Sequence, residues 1–158
     1  PPISFWTFPK SGLAVTAVDR DTSRLGDLAG RPNVEVVTAD LEDGSPFPLA
    51  GRTFGAVIVT NYLWRPILPA ICAAVAPDSL LIYETFALGH EQLGGRPSNP
   101  AFLLRPNELA EAAVAAGLAI IAFEQVREDQ PWPRIVQRVA ATGPAHPWTT
   151  TPPARFTP

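Results

Sequence analysis

The sequence predicts an α/β protein with a mostly parallel sheet, closed near its C-terminal end by one antiparallel strand. Three observations carry this. Short apolar runs rich in β-branched residues recur at 13–19, 34–38, 54–60 and 80–83. Stretches with helical spacing of apolar residues lie between several of them. The last two runs, 118–126 and 135–140, are joined by Arg-Glu-Asp-Gln-Pro-Trp-Pro at 127–133, which leaves no room for a helix. Strands joined that closely must be antiparallel.

Leu13 to Asp19 reads as a strand buried on both faces, because its apolar residues are nearly continuous until the terminal carboxylate. Residues 21–29 are expected to form a short helix capped by Asp21 or Thr22, with Leu25 and Leu28 on one face. Gly30-Arg31-Pro32-Asn33 is a turn. Val34–Thr38 is the second strand, followed closely by another acid, Asp40. Gly44, Pro46 and Pro48 keep 42–48 a loop. Phe54–Thr60 is the strongest strand signal in the chain, with Asn61-Tyr62-Leu63-Trp64 at its carboxyl end.

A helix then opens at Pro66, with Ile67, Leu68, Ile71, Cys72 and Val75 as its apolar stripe, and ends at Pro77-Asp78-Ser79. Leu80–Tyr83 is a buried strand running into Glu84-Thr85-Phe86. About 87–104 is a long irregular stretch, and loops of that length are usually functional or mobile. Pro106 starts a helix that Gly117 stops. From Thr142 the Pro/Thr-rich tail reads as disordered. The expected organisation is an atypical segment at 1–12, one partial domain at 13–141, and a tail at 142–158.

Composition narrows the function classes. A net charge of −3 with no basic block argues against electrostatic binding to nucleic acid or an anionic membrane. The single cysteine, Cys72, excludes an internal disulfide and fits a reducing compartment. No run approaches the roughly 18 apolar residues of a membrane span, and the expected location is cytoplasmic. No His/Cys/Asp spacing suggests a metal site.

Five short motifs give the chain a likeness to a known family. They are Val-Thr-Ala-Val-Asp at 15–19, Ala-Asp-Leu-Glu-Asp at 39–43, Val-Thr-Asn-Tyr-Leu at 59–63, Ile-Tyr-Glu-Thr-Phe at 82–86 and Phe-Leu-Leu-Arg-Pro at 102–106. In this order and spacing, about Leu13 to Ala141 resembles the class I S-adenosylmethionine-dependent methyltransferases. The likeness is to small bacterial members of the tellurite-resistance and thiopurine-methyltransferase kind. It implies a Rossmann-like sheet, S-adenosylmethionine as cofactor and a small-molecule acceptor. It implies that Asp19 accepts hydrogen bonds from the ribose hydroxyls and Asp40 from the adenine amino group, while Leu41 covers the ring. Asn61 and Tyr62 would stand near the methionine part and the methyl group, and Glu84 and Phe86 on the acceptor side. Tyr62 and Glu84 are the candidate catalytic residues.

Each residue also has a plainer reading. Asp19 and Asp40 can serve turns or caps. Tyr62 can pack with Leu63 and Trp64, and Glu84 can be a solvated strand end. Arg105 is expected to anchor the long loop through a carboxylate or carbonyls. His90 is either exposed or an acceptor-side base, and Cys72 is expected in the core.

The family's Gly-rich turn should lie immediately before the first strand. Residues 1–12 hold only Gly12 and no Gly-x-Gly. The family's first strand and helix are therefore expected to be missing or replaced, as in a truncated or misread front end. That loss would split the sheet or leave an open edge, and cofactor binding by this chain should be weak or absent. The rival readings are a non-catalytic protein of the same fold, self-associating through an open sheet edge, and a nicotinamide-dependent oxidoreductase, which shares the acid after a strand.

Overall fold

The computed structural model describes residues 12–154. The expectations for residues 1–11 fall outside that range. The chain divides into two compact units, residues 1–48 and 49–158. That boundary lies inside the stretch expected to form one domain.

The first unit is built on two parallel strands, β1 (Val15–Asp19) and β2 (Val34–Thr38). Asn33 closes their start: its side-chain amide donates to Leu13 O at 2.7 Å, and its carbonyl accepts from Val15 N at 2.9 Å. The strand begins two residues later than expected, and Leu13 is 56% exposed. Val15 to Val18 are half-buried, so β1 lacks the double-sided burial that its composition suggested. The connection is 3₁₀ rather than α-helical, over Thr22–Leu28, with Asp21 as N-cap accepting from Ser23 N at 3.2 Å. Gly26, at φ 52° and ψ −130°, breaks it into two pieces. Glycine adopts that backbone without a Cβ penalty.

The second unit holds a four-stranded sheet, ordered β3 (Phe54–Thr60), β4 (Val75–Phe86), β6 (Arg134–Thr142), β5 (Ala119–Glu128). β3 and β4 are parallel, and β6 runs antiparallel between β4 and β5. The closing antiparallel strand is as expected. Among the described residues the six strands form two sheets, of two and four strands, which is one of the two outcomes the sequence led us to expect.

The helix after β3 begins as a 3₁₀ turn at Arg65–Ile67, with Pro66 in its first turn, and continues as α1 (Leu68–Ala73). It ends before Val75, earlier than expected. Val75 instead pairs with Phe54, and Phe54 N donates to Ala74 O at 2.8 Å. Ala76 precedes Pro77, a position biased away from the α region. α2 (Glu108–Ala115) ends at Gly117, whose φ of 78° suits a helix stop.

Along β4 burial alternates: Leu81, Tyr83 and Thr85 are buried, while Ile82 is 36% exposed. The buried face carries Gln137 of β6, whose Oε1 accepts from Leu109 N of α2 at 3.2 Å. Gln137 Nε2 donates to Arg105 O at 2.5 Å and to Gln125 Oε1 at 3.0 Å, so this fully buried amide is satisfied. Cys72 is buried in the core as expected, and burial pushes its thiol up to about 11.

The tail expected to be disordered is instead structured as far as Thr151. Gly143 N donates to Ser79 O at 2.9 Å and Ala145 N to Pro77 O at 2.8 Å, and Pro147–Thr149 makes a 3₁₀ turn. These bonds continue the β4–β6 pairing beyond the strand end, which Pro/Thr composition alone does not reveal. Among the described residues no helix is long and apolar enough to cross a membrane.

Candidate functional site

In the first unit, the two predicted nucleotide-contacting acids stand at or just past the carboxyl ends of adjacent parallel strands. Asp19 pairs with Thr38 in the ladder, and Ala39 N donates to Asp19 O at 3.1 Å. Asp40 follows directly, and both side chains are exposed. Each holds its own turn through one oxygen: Asp19 Oδ1 accepts from Asp21 N at 2.8 Å, and Asp40 Oδ1 from Glu42 N at 3.0 Å. Asp40 Oδ2 lies 3.9 Å from Arg20 Nη1, a solvent-screened pair. Asp19 Oδ2 has no hydrogen bond among the described residues. Leu41 is half-buried beside them in sequence. The turn-forming role and an available acceptor oxygen therefore coexist in the same side chain. Gly12, at φ 81°, precedes β1, and a Cβ there would meet nothing within 4 Å.

In the second unit, Asn61 ends β3 in the left-handed region, at φ 53°, with its N–H donating to Glu84 O at 2.9 Å. Asparagine tolerates that conformation better than most residues. Tyr62 is fixed by its backbone: Tyr83 Oη donates to Tyr62 O at 2.9 Å. Burial raises the Tyr83 phenol well above its ordinary value, which keeps this donor protonated.

Glu84 is not free to act as a base. Its carboxylate pairs with Arg134 at 2.8 Å and with Arg138 directly opposite on β6. Arg138 also reaches Glu124 and Glu128, each at 2.7 Å, and Arg134 reaches Glu128 at 2.6 Å. The register explains the ladder: Glu84, Arg138 and Glu124 are cross-strand partners, as are Arg134 and Glu128. Burial works against the charge on Glu128, but hydrogen bonds from Arg138 and Arg134 outweigh it and lower its pKa. Glu84 therefore knits the sheet. Phe86 stacks on the His90 ring, with centroids 4.4 Å apart.

His90 is buried, not exposed. Its Nδ1 accepts from Ile135 N at 3.4 Å, which leaves Nε2 to donate to Arg96 O at 3.2 Å. With both nitrogens engaged, His90 is an anchor of the 87–104 stretch. That stretch also contains 3₁₀ turns at His90–Leu93 and Pro100–Phe102.

The other anchor is Arg65, which sequence reading passed over in favour of Arg105. Arg65 grips Glu108 with two parallel bonds, Nε to Oε1 at 2.7 Å and Nη2 to Oε2 at 2.9 Å. It also donates to Ala101 O at 2.5 Å and Leu103 O at 2.9 Å. Arg105 contributes its backbone N–H to Glu108 Oε2 at 2.8 Å. Burial alone would raise the Glu108 carboxyl. The Arg65 side chain, the Arg105 N–H and the nearby positive charge outweigh it and hold Glu108 at about 2. Arg65, Leu88, Pro100, Ala101, Leu103 and Arg105 enclose an open groove of about 480 Å³. Among the described residues no cluster of three His, Cys, Asp or Glu could hold a metal ion.

No protein-family profile matches the sequence, and no curated protein matches it. Solved structures do. The [4+2]-cyclase SpnF superposes with a TM-score of 0.62 at 14% identity, over 88% of this chain and 69% of that one. The 1,6-didemethyltoxoflavin-N1-methyltransferase of Burkholderia thailandensis, solved with bound 1,6-didemethyltoxoflavin and S-adenosylhomocysteine, gives 0.58 at 18% identity, over 86% of this chain and 64% of that one. The 16S rRNA (adenine(1408)-N(1))-methyltransferase of Catenulisporales acidiphilia gives 0.57 at 16%, over 87% and 76%. At these identities the likeness speaks for architecture alone: the chain has a mixed α/β, Rossmann-like fold shared with these structures.

Proposed function

We propose that this chain is a methyl-transfer domain of the small bacterial type, using S-adenosylmethionine and acting in the cytoplasm on a small-molecule acceptor. The observation that carries the reading is the pair Asp19 and Asp40, two exposed carboxylates at the ends of neighbouring parallel strands, where open α/β sheets take nucleotides. Fold alone does not choose the reaction, since one structural neighbour is a [4+2]-cyclase. The sequence motifs supply that choice.

The residues fit the cofactor. Asp19 Oδ2 can accept from a ribose diol while Oδ1 keeps the turn, and Asp40 with Leu41 suits the adenine edge and face. The cofactor supplies an activated sulfonium methyl, so the protein's work is alignment rather than strong acid–base chemistry. Asn61 and Tyr62 are the residues that the motif resemblance assigns to that work. Glu84, held by two arginines, supports them through the sheet and through the bond from Asn61 N–H to its carbonyl. The net charge of −3 favours a small acceptor over RNA, even though one neighbour modifies ribosomal RNA. Residues 1–12 hold Gly12 as their one glycine, so the affinity expected for the cofactor is weak.

A thermal-shift comparison tests the class. S-adenosylhomocysteine at millimolar concentration should raise the midpoint and NADH should not. Stabilisation by NADH alone would favour the oxidoreductase. The second reading, self-association, is favoured by β3. Among the described residues it lies at the end of its sheet, and it carries no charge or proline of the kind that usually protects an edge against pairing.

A further inference from the structure

The groove beside the Arg65–Glu108 pair has a built-in polarity. Two guanidiniums face one carboxylate there, which leaves one positive charge. The structure also shows which arginine carries it. Arg65 spends four of its five N–H donors on Glu108 and on the carbonyls of Ala101 and Leu103. Glu108 is engaged in turn by Arg65 and the Arg105 N–H. The Arg105 side chain has only a marginal 3.5 Å approach to Glu108 and is 68% exposed. It is a cation on the rim with its Nε and Nη1 donors unused among the described residues.

The rest of the groove is apolar. Leu88, itself 37% exposed, lies beside Pro100, Ala101 and Leu103. A volume of about 480 Å³ is in the range of small-molecule sites. Its wall is held in shape rather than loose, because Arg65 ties the carbonyls of Ala101 and Leu103, and Leu104 N and Leu88 N bond Phe86 O and Leu104 O at 2.9 Å. The groove is formed by the segments that follow β3 and β4, at the carboxyl ends of parallel strands.

We infer that this groove binds a small carboxylic acid with an apolar body, seated against Leu88 and Pro100, with its carboxylate on the Arg105 guanidinium. A planar fork with spare donors favours a carboxylate over a neutral oxygen. The carboxylate orients the ligand. That this ligand is also the methyl acceptor rests on the reading above, whereas the site itself does not.

The test uses the full ¹⁵N-labelled chain without cofactor, followed by amide NMR. Phenylacetate, benzyl alcohol and phenethylamine serve as anionic, neutral and cationic probes of similar shape. Phenylacetate should shift the amides of Leu88, Ala101, Leu103 and Arg105 saturably and bind about tenfold more tightly than the other two. Arg105→Gln should abolish that preference. Its fold should survive, because the structural contact to Glu108 is made by the backbone. Arg127→Gln, at another exposed arginine, should leave the preference intact. Equal responses to the three probes, or a preference that persists in Arg105→Gln, would overturn the assignment. A parallel titration with S-adenosylhomocysteine, read at the amides of Asp19 and Asp40, reports on the cofactor separately, so either reading can fail alone.

Discussion

Replacing Glu108 by glutamine removes the one negative charge that Arg65, the Arg105 N–H and the loop carbonyls are arranged around. The Glu108 side chain is 7% exposed and Arg65 is 35% exposed. The carboxyl falls from 4.5 in the unfolded chain to about 2 in the fold. That difference corresponds to roughly 3 kcal/mol at neutral pH, discounted to about 2 kcal/mol for the solvent reaching Arg65. Removing one partner from a buried pair leaves the other uncompensated, which points the same way. A group with a lowered folded pKa stabilises above its unfolded pKa and loses that contribution as pH falls through the folded one. The wild-type advantage over Glu108→Gln should therefore be full above about pH 5, and less than half of that at pH 3. Urea unfolding followed by tryptophan fluorescence suits the measurement, because three of the four tryptophans, Trp64, Trp132 and Trp148, lie in the second unit. A difference below about 0.5 kcal/mol at pH 7, or one unchanged between pH 7 and pH 3, would refute the reasoning.

Other consequences are open to measurement. Gly143→Ala should cost more than about 2 kcal/mol, because its Cβ would lie 2.3 Å from Pro77 O and the backbone must shift. A loss within about 0.5 kcal/mol in urea unfolding would show that the tail is not seated there. Asp19→Asn should weaken S-adenosylhomocysteine binding about tenfold while changing stability by less than about 1 kcal/mol, since the side chain is exposed. Equal affinity by NMR titration would remove Asp19 from the site. Ala56→Lys, which puts a charge on the β3 edge strand, should turn any dimer seen by sedimentation velocity into monomer. A dimer indifferent to the lysine would place the contact elsewhere.

Sequence pattern located the strands well where pattern is local. β2 and β3 match their expected bounds of 34–38 and 54–60, and the short 127–133 link correctly implied an antiparallel closing strand. The misreadings have physical reasons. Gly26 split an expected helix by taking a backbone conformation that apolar spacing does not register. Val75 joined β4 because pairing with Phe54 won over helical continuation. Glu84 looked like a strand-end acid because its arginine partners are 50 and 54 residues away. A signal for them was present: Glu124 and Glu128, four apart, face Arg134 and Arg138, also four apart, across the β5–β6 hairpin. On strands that spacing keeps like side chains on one face. The Arg65–Glu108 pair spans 43 residues with no such pattern, and only the packing of α2 reveals it.

The most direct test of the proposed function is amide NMR of the ¹⁵N-labelled chain titrated with S-adenosylhomocysteine. The account predicts saturable shifts at Asp19, Asp40 and Leu41, with a dissociation constant on the order of 0.1–1 mM, and loss of those shifts in Asp19→Asn. Absence of shifts at those three residues up to several millimolar, on the order of the weakest useful affinities, would contradict the nucleotide-binding role of the strand-end acids.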